Sequence, residues 1–168
     1  MLAAWLWMKY PNTFVGAVSS SAPILQFKNA APVEDFYKII TDSYRDVSLK
    51  CSDGINKTHW LLDPKVFDDK NLPLLKDLFG TCKEITKEDL GKLISFLNGA
   101  WSYMAMTNYP YATSFLSPMP AWPVTESCKP YENLNFNLAS DSDFDDSTAK
   151  LFKASWESVN IYYNYTGQ

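Results

Sequence analysis

The sequence predicts a mainly helical domain joined to a short α/β segment at its amino end. An apolar run over residues 2–10 is stopped by Pro11, and a short stretch of small and β-branched residues follows at 14–18. From about residue 33 onward, apolar residues recur at helical spacing. The chain has 168 residues, of which 46% are hydrophobic and 15% aromatic. This is enough apolar surface for a core.

The amino-terminal segment is typical of half a βαβ unit. Residues 2–10 are helix formers with apolar side chains on nearly every side, as expected of a helix buried between other elements. Residues 14–18 predict a short strand buried on both faces, as in a parallel sheet. One helix and one strand cannot form a sheet, so we expect the neighbouring strands elsewhere. The serines at 19–21 form no G-x-S-x-G motif and are expected to cap the strand.

Five further helices are predicted downstream. They cover residues 33–47, 52–62, 72–79, 87–108 and 147–163. Gly80 is a stop signal for the third of these, and Thr86 with Asp89 resembles a capping box at the start of the fourth. The proline-rich residues 110–130 predict an ordered, extended loop.

Composition and charge exclude several classes of function. A net charge of −4 argues against a nucleic-acid partner, which needs a basic face. No uncharged apolar stretch reaches the roughly 18 residues that would span a membrane. The run over residues 1–8 lacks the basic flank and cleavage site of a signal peptide. Because nothing spaces metal ligands, we expect no metal and no cofactor.

The cysteines and two sequons favour a secretory compartment. Cys51, Cys82 and Cys128 are too far apart for a C-x-x-C site, and Asn56 and Asn164 each begin an N-x-T sequon. Together these features indicate an oxidising environment in which disulfides and N-glycans form. The odd number of cysteines predicts that one partner lies on another chain or outside this sequence.

Three groups of residues invite a chemical interpretation. His59 lacks a nearby nucleophile in sequence, so a partly exposed structural histidine is favoured over a catalytic one. The aspartates at 141, 143, 145 and 146 mismatch the calcium-loop pattern, and capping of the next helix is favoured. The aromatic and proline residues at 109–111 and 118–123 suit either a ligand wall or packing of the loop, and packing is favoured.

Eight short segments, spread over nearly the whole chain, match motifs of one known family in the right order. They are Met1–Trp5, Met8–Pro11, Val15–Ala17, Ser21–Ile24, Asn108–Ala112, Phe115–Leu116, Pro120–Pro123 and Tyr162–Gln168. These segments resemble the Pro-X carboxypeptidase and dipeptidyl peptidase II family of serine peptidases. The similarity is weakest at 60–75 and 130–147, and the motif at 121–123 is more similar to the carboxypeptidase branch.

This resemblance implies an α/β-hydrolase fold with a helical cap insertion. Residues 1–28 would be a partial hydrolase core, comprising the helix after the nucleophile and the next strand. Residues 29–168 would be the helical cap, incomplete at its carboxyl end. In the family, the serine lies four residues before the position matching residue 1, and the aspartate and histidine follow the segment matching residue 168. The resemblance therefore implies no catalytic residue here, and this internal fragment is expected to be inactive alone.

The resemblance also implies roles for individual residues. Met1 would lie one helical turn after the serine, where its thioether would line the proline pocket or simply pack the helix. Cys51 would bond to Cys128, and Cys82 to a cysteine just beyond residue 168.

The implied parent protein is a lysosomal or secreted glycoprotein that removes the carboxy-terminal residue after a penultimate proline. Its expected partners are peptides with a penultimate proline and, in a homodimer, a second copy of itself, and neither nucleic acid nor membrane. A dipeptidyl peptidase and a non-catalytic helical binding module are the alternatives.

Overall fold

The computed structural model describes residues 1–135 and 145–167, and within these ranges it contains helices and no strand. The chain divides into two compact units, Met1–Lys38 and Ile39–Gln168. No helix among the described residues is long and apolar enough to cross a membrane.

The first unit contains helix α1 and an irregular segment. Helix α1 spans Leu2–Lys9 and ends where Pro11 predicts, with the N–H of Tyr10 donating to the Leu6 carbonyl at 2.8 Å. The rings of Trp5 and Phe27 are in contact, with centroids 5.0 Å apart. Nevertheless, none of residues 1–38 is buried.

The strand predicted at 14–18 is not formed. These residues have no regular secondary structure and are exposed. The physical reason is that a strand is stabilised by hydrogen bonds to neighbouring strands, and the described part of the chain supplies none. The serines at 19–21 consequently have no strand to cap, and they lie in an exposed turn with Ser21 at a φ of 48°.

Six helices follow, and the five predicted ones are all present with small shifts at their ends. They are α2 (Asp35–Val47), α3 (Leu49–Leu62), α4 (Leu72–Phe79), α5 (Leu90–Met106), α6 (Pro123–Cys128) and α7 (Asp146–Tyr163). Short 3-10 helices cover Asp69–Asn71, Lys87–Asp89 and Lys129–Tyr131.

Local chemistry explains the helix boundaries. Helix α3 begins three residues earlier than predicted because the Ser48 hydroxyl accepts the Cys51 N–H at 3.2 Å. Gly80 ends α4 in the left-handed conformation, with a φ of 57°. The prediction of a loop over 110–130 was wrong in its last part, which forms helix α6. Pro123 is a favourable first residue for this helix.

Helix α7 is at the centre of the second unit and packs against α3, α4, α5, α6 and the 3-10 helix at 129–131. A disulfide between Cys51 and Cys128 joins the start of α3 to the end of α6. The largest fully buried core side chains include Tyr44, Leu62, Leu75, Phe79, Leu97, Trp101, Met104, Tyr131, Leu151 and Phe152.

The core contains hydroxyl groups that satisfy one another. The Thr58 and Ser155 hydroxyl oxygens are 2.7 Å apart, and the Tyr131 hydroxyl donates to that of Ser155 at 3.0 Å. The indole N–H of Trp101 donates to the Ser158 hydroxyl at 3.0 Å. Burial raises the pKa of Tyr131 well above its usual range, so its hydroxyl keeps its proton and remains a donor.

Candidate functional site

The segment at residues 109–123, here called the aromatic loop, connects α5 to α6 and turns back on itself. The N–H of Trp122 donates to the Tyr109 carbonyl at 2.7 Å and ties the ends of the loop together. Further in, Thr113 and Met119 exchange two backbone hydrogen bonds, of 3.1 and 2.8 Å, as an antiparallel bridge. The loop therefore has a defined backbone although it belongs to no sheet.

Buried neighbours anchor this loop to the helices. Met119, Pro120 and Pro123 are buried. The Ser117 hydroxyl donates to the carbonyl of Tyr162 near the end of α7 at 2.7 Å. The N–H of Val124 donates to the Asn108 side-chain oxygen at 3.3 Å. The loop is fixed at its base and at its middle.

The large rings of the loop are exposed despite this anchoring. Tyr109 and Tyr111 stack with centroids 5.6 Å apart and planes 6° from parallel, and both are exposed. Phe115 at the tip is 74% exposed, and Trp122 is 50% exposed. The sequence favoured packing over a ligand wall. In the structure Met119 and two prolines pack, while the large rings remain exposed.

Trp122 adopts a backbone conformation that is unusual for a bulky residue. Its φ of 51° and ψ of 55° lie in the left-handed region. For a residue with a Cβ this conformation costs about 1–2 kcal/mol relative to the right-handed one. The hydrogen bond to Tyr109 and the buried Pro123 hold it there.

The aromatic loop belongs to a segment without charge. Residues 93–125 contain no Asp, Glu, Lys, Arg or His, although 20% of the chain is charged. The same segment supplies exposed rings of α5, and these pair with rings near the end of α7. Phe96 stacks on Tyr163 at 4.1 Å, and Tyr103 on Tyr162 at 5.3 Å. The absence of charged residues over 93–125 is the sequence feature that could have pointed to this exposed aromatic surface.

His59 is part of α3, and both nitrogens of its ring have hydrogen-bond partners, one in α3 and one in α5. Its Nδ1 is 2.9 Å from the Ile55 carbonyl, which can only accept, so Nδ1 carries a proton. Its Nε2 is 2.6 Å from the side-chain amide of Asn98. Burial lowers the pKa of the ring below its usual value. Both contacts hold the ring in place, as expected of a structural histidine.

The acidic group before α7 caps the helix where the structure describes it. The Asp145 carboxylate accepts the Thr148 N–H at 2.8 Å and the Ser147 hydroxyl at 2.7 Å. These bonds, the Ser147 hydroxyl first, lower the pKa of Asp145. Asp141 and Asp143 lie outside the described residues. Within the described ranges, no cluster of three His, Cys, Asp or Glu side chains is arranged to hold a metal.

The remaining predicted residues are spread over the chain. Met1 is exposed and precedes α1, with its carbonyl accepting the Trp5 N–H at 3.2 Å. Cys82 is an exposed free thiol, and it borders an apolar groove between α4, α5 and α7. Asn56 and Asn164 are exposed. Apart from the disulfide between Cys51 and Cys128, the structure brings none of these residues together.

Comparison with known proteins places the whole chain in one family. The family model "Serine carboxypeptidase S28" matches residues 1–167. The chain is 36% identical to the lysosomal Pro-X carboxypeptidases of Mus musculus and Homo sapiens, with 100% of the chain aligned. It is 37% identical to the prolyl carboxy peptidase like protein 5 of Caenorhabditis elegans, with 99% of the chain aligned. The chain spans 32% of the length of each of these relatives. It belongs to the serine carboxypeptidase S28 family.

Proposed function

We propose that the longer protein containing this chain is a serine-type exopeptidase that removes the carboxy-terminal residue after a penultimate proline. One observation carries the proposal: the chain is 36% identical, over its full length, to proteins named as Pro-X carboxypeptidases. The reaction is acyl transfer, in which a serine attacks the peptide carbonyl, a histidine serves as base and then acid, and an aspartate orients the histidine.

The catalytic triad lies outside this chain in our proposal, and residues 1–168 alone are inactive. Two observations support this. The ring nitrogens of His59 have Ile55 and Asn98 as hydrogen-bond partners, and a triad needs a nucleophile and a carboxylate at those two positions. The exposed serines at 19–21 lie in no nucleophile motif.

The fold of the longer protein is, in our proposal, an α/β-hydrolase with residues 29–168 as its helical cap. Residues 1–28 would then contribute the helix after the nucleophile and the following strand. The exposure of the apolar side chains of α1 supports this, because a helix that is apolar on nearly every side is stable only between other elements. Segment 14–18 would become a strand once neighbouring strands are present.

The cap lies over the active site in this proposal and limits entry to chain ends. Met1, four residues after the serine, would line the proline pocket. Replacing Met1 with alanine in the full-length enzyme would then lower kcat/KM for a Pro-X peptide.

A lysosomal or secreted location fits the chain's covalent features. The disulfide between Cys51 and Cys128 needs an oxidising compartment to form. Asn56 and Asn164 are exposed, as glycan attachment requires. The exposed Cys82 thiol fits a disulfide to a cysteine beyond residue 168. The names of the mammalian relatives include the word lysosomal.

Peptides blocked at one end test the proposed activity. The full-length protein is incubated with a proline peptide acetylated at its amino end, and with one amidated at its carboxyl end. A carboxypeptidase cleaves only the first and loses this activity to a serine-directed inhibitor. Release of a dipeptide from the second would instead show a dipeptidyl peptidase. Cleavage of neither would favour a non-catalytic helical module.

A further inference from the structure

The two sequons of the chain lie in different structural settings. Asn56 and Thr58 belong to helix α3, whereas Asn164 follows the last residue of α7 and Thr166 comes two residues later. Asn56, Asn164 and Thr166 are exposed, but Thr58 is 0% exposed. Of the two sequons, the second alone keeps both its asparagine and its threonine accessible in the folded chain.

Helix geometry explains why Thr58 is buried. An α-helix turns about 100° per residue, so side chains two residues apart point about 200° away from each other. Because Asn56 faces solvent, Thr58 faces the neighbouring helix α7. Its hydroxyl donates to the Gly54 carbonyl at 2.9 Å, and its oxygen lies 2.7 Å from the hydroxyl oxygen of Ser155 on α7. The hydroxyl that completes the sequon is therefore part of the core.

We infer that Asn56 accepts an N-glycan only while α3 is not yet packed against α7. This inference rests on the secretory location proposed above and not on the peptidase activity. A sequon needs serine or threonine as its third residue, so the enzyme that transfers the glycan must reach that hydroxyl. It reaches Thr58 only when α3 separates from α7. The fraction of folded molecules open in this way is about 10⁻³ or less for a core helix.

The order of the chain sets the interval in which Asn56 can be modified. Ser155 follows Thr58 by 97 residues, and Cys128 follows Cys51 by 77. At about 5–20 residues per second, Ser155 is synthesised roughly 5–20 s after Thr58. During this interval α7 does not yet exist, and the sequon has no helix to bury it. A glycan attached then does not obstruct folding, because Asn56 lies on the exposed face of α3.

The test uses full-length protein that has folded without glycans. It is produced in bacteria that lack N-glycan transfer, and a cooperative melting curve verifies its fold. The folded protein is incubated with purified oligosaccharyltransferase and a lipid-linked oligosaccharide, and mass spectrometry of its peptides gives the occupancy of each asparagine over time. Asn164 should be modified, and Asn56 should be modified at least about tenfold more slowly, because α3 is rarely open.

Two matched variants connect the protection of Asn56 to the packing of Thr58. Ser155→Lys places a charge beside the buried hydroxyl, and the cost of burying that charge separates α3 from α7. Glu157→Lys introduces the same residue on the exposed face of α7. Ser155→Lys should raise the rate at Asn56 about tenfold or more, and Glu157→Lys should leave it unchanged. The expectation is the same if Ser155→Lys unfolds the whole second unit, since Thr58 is then exposed as well.

Three results would overturn the inference. Equal rates at Asn56 and Asn164 in the folded wild type would show that a buried hydroxyl does not hinder transfer. An Asn56 that stays unmodified in Ser155→Lys would show that its sequence, and not the fold, prevents transfer. Protection of both asparagines in the folded wild type would show that the folded protein excludes the enzyme as a whole. None of these results bears on the peptidase activity, which the blocked peptides measure separately.

Discussion

The two units of the chain contain similar apolar residues but bury them to opposite extents. Among residues 1–38 none is buried, and Trp7, Phe14 and Leu25 are exposed. In the second unit, Trp101 and Phe152 are excluded from water almost completely. The difference shows that apolar composition does not by itself make a core. Helix α7 packs against α3, α4, α5 and α6, whereas α1 buries no residue.

The pattern of apolar residues explains this contrast. On α7, the buried residues Leu151, Phe152, Ser155 and Val159 share one face, and charged residues such as Glu157 lie on the other. A helix with one apolar face is stable when that face alone packs against other elements. Helix α1 is apolar on nearly every side, so it needs neighbours on every side. The second unit buries its apolar residues within the chain, and enclosure of the first unit by other segments remains our proposal for the longer protein.

The largest expected effect is on the core of the second unit. Trp101→Ala in the 168-residue chain should lower the free energy of unfolding by about 3–5 kcal/mol, because it leaves a cavity and removes the donor to Ser158. Trp7→Ala, on exposed α1, should change it by less than about 0.5 kcal/mol. Urea denaturation followed by far-UV circular dichroism measures both values.

The same two substitutions, made in the full-length protein, test whether other segments enclose α1. If other segments enclose α1, Trp7→Ala becomes costly there, at about 3 kcal/mol or more, while the cost of Trp101→Ala stays the same. A small cost for Trp7→Ala in both proteins would contradict the idea that α1 is an enclosed helix. The melting curve of each full-length variant provides the measurement.

A smaller effect is expected when the disulfide of the second unit is removed. In the 168-residue chain, replacing both Cys51 and Cys128 with serine should lower the free energy of unfolding by about 2–5 kcal/mol, because the open chain gains conformational freedom when it unfolds. Cys82→Ser in the same 168-residue chain is the matched control, since its thiol is free and exposed there, and should have almost no effect. Equal melting temperatures for all three proteins under oxidising conditions would show that the disulfide contributes no stability.

Periodicity predicted the helices but not the exposed surface between them. The apolar spacing in α4, α5 and α7 reflects burial against neighbours within the chain, so those helices were predicted well. The prediction of a strand at 14–18 was wrong for this chain, because the described residues supply no neighbouring strand to pair with it. The ring positions of Tyr109 and Trp122 depend on the turn at Thr113 and Met119, which no periodic pattern encodes. Among the site residues, the pairing of Cys51 with Cys128 came from the family resemblance rather than from spacing.

The smallest effect concerns pH and the only histidine of the chain. Burial lowers the pKa of His59 in the folded state, whereas in the unfolded state it titrates near its ordinary value of about 6.5. Between those two values the unfolded chain binds more protons, so stability rises with pH there and is lost as pH falls. The melting temperature should therefore fall on acidification from pH 7 to 5.

His59→Gln tests this assignment because glutamine keeps hydrogen-bonding groups near Ile55 and Asn98 but cannot take up a proton. Its melting temperature should fall less over the same interval. Carboxylates such as Asp145, whose pKa is lowered, lose their stabilising charge at more acidic pH and affect both proteins equally. The single imidazole signal in the proton NMR spectrum gives the pKa of the folded state directly. A value at or above about 6.5, with equal pH slopes for the two proteins, would mean that the ring is not desolvated between α3 and α5.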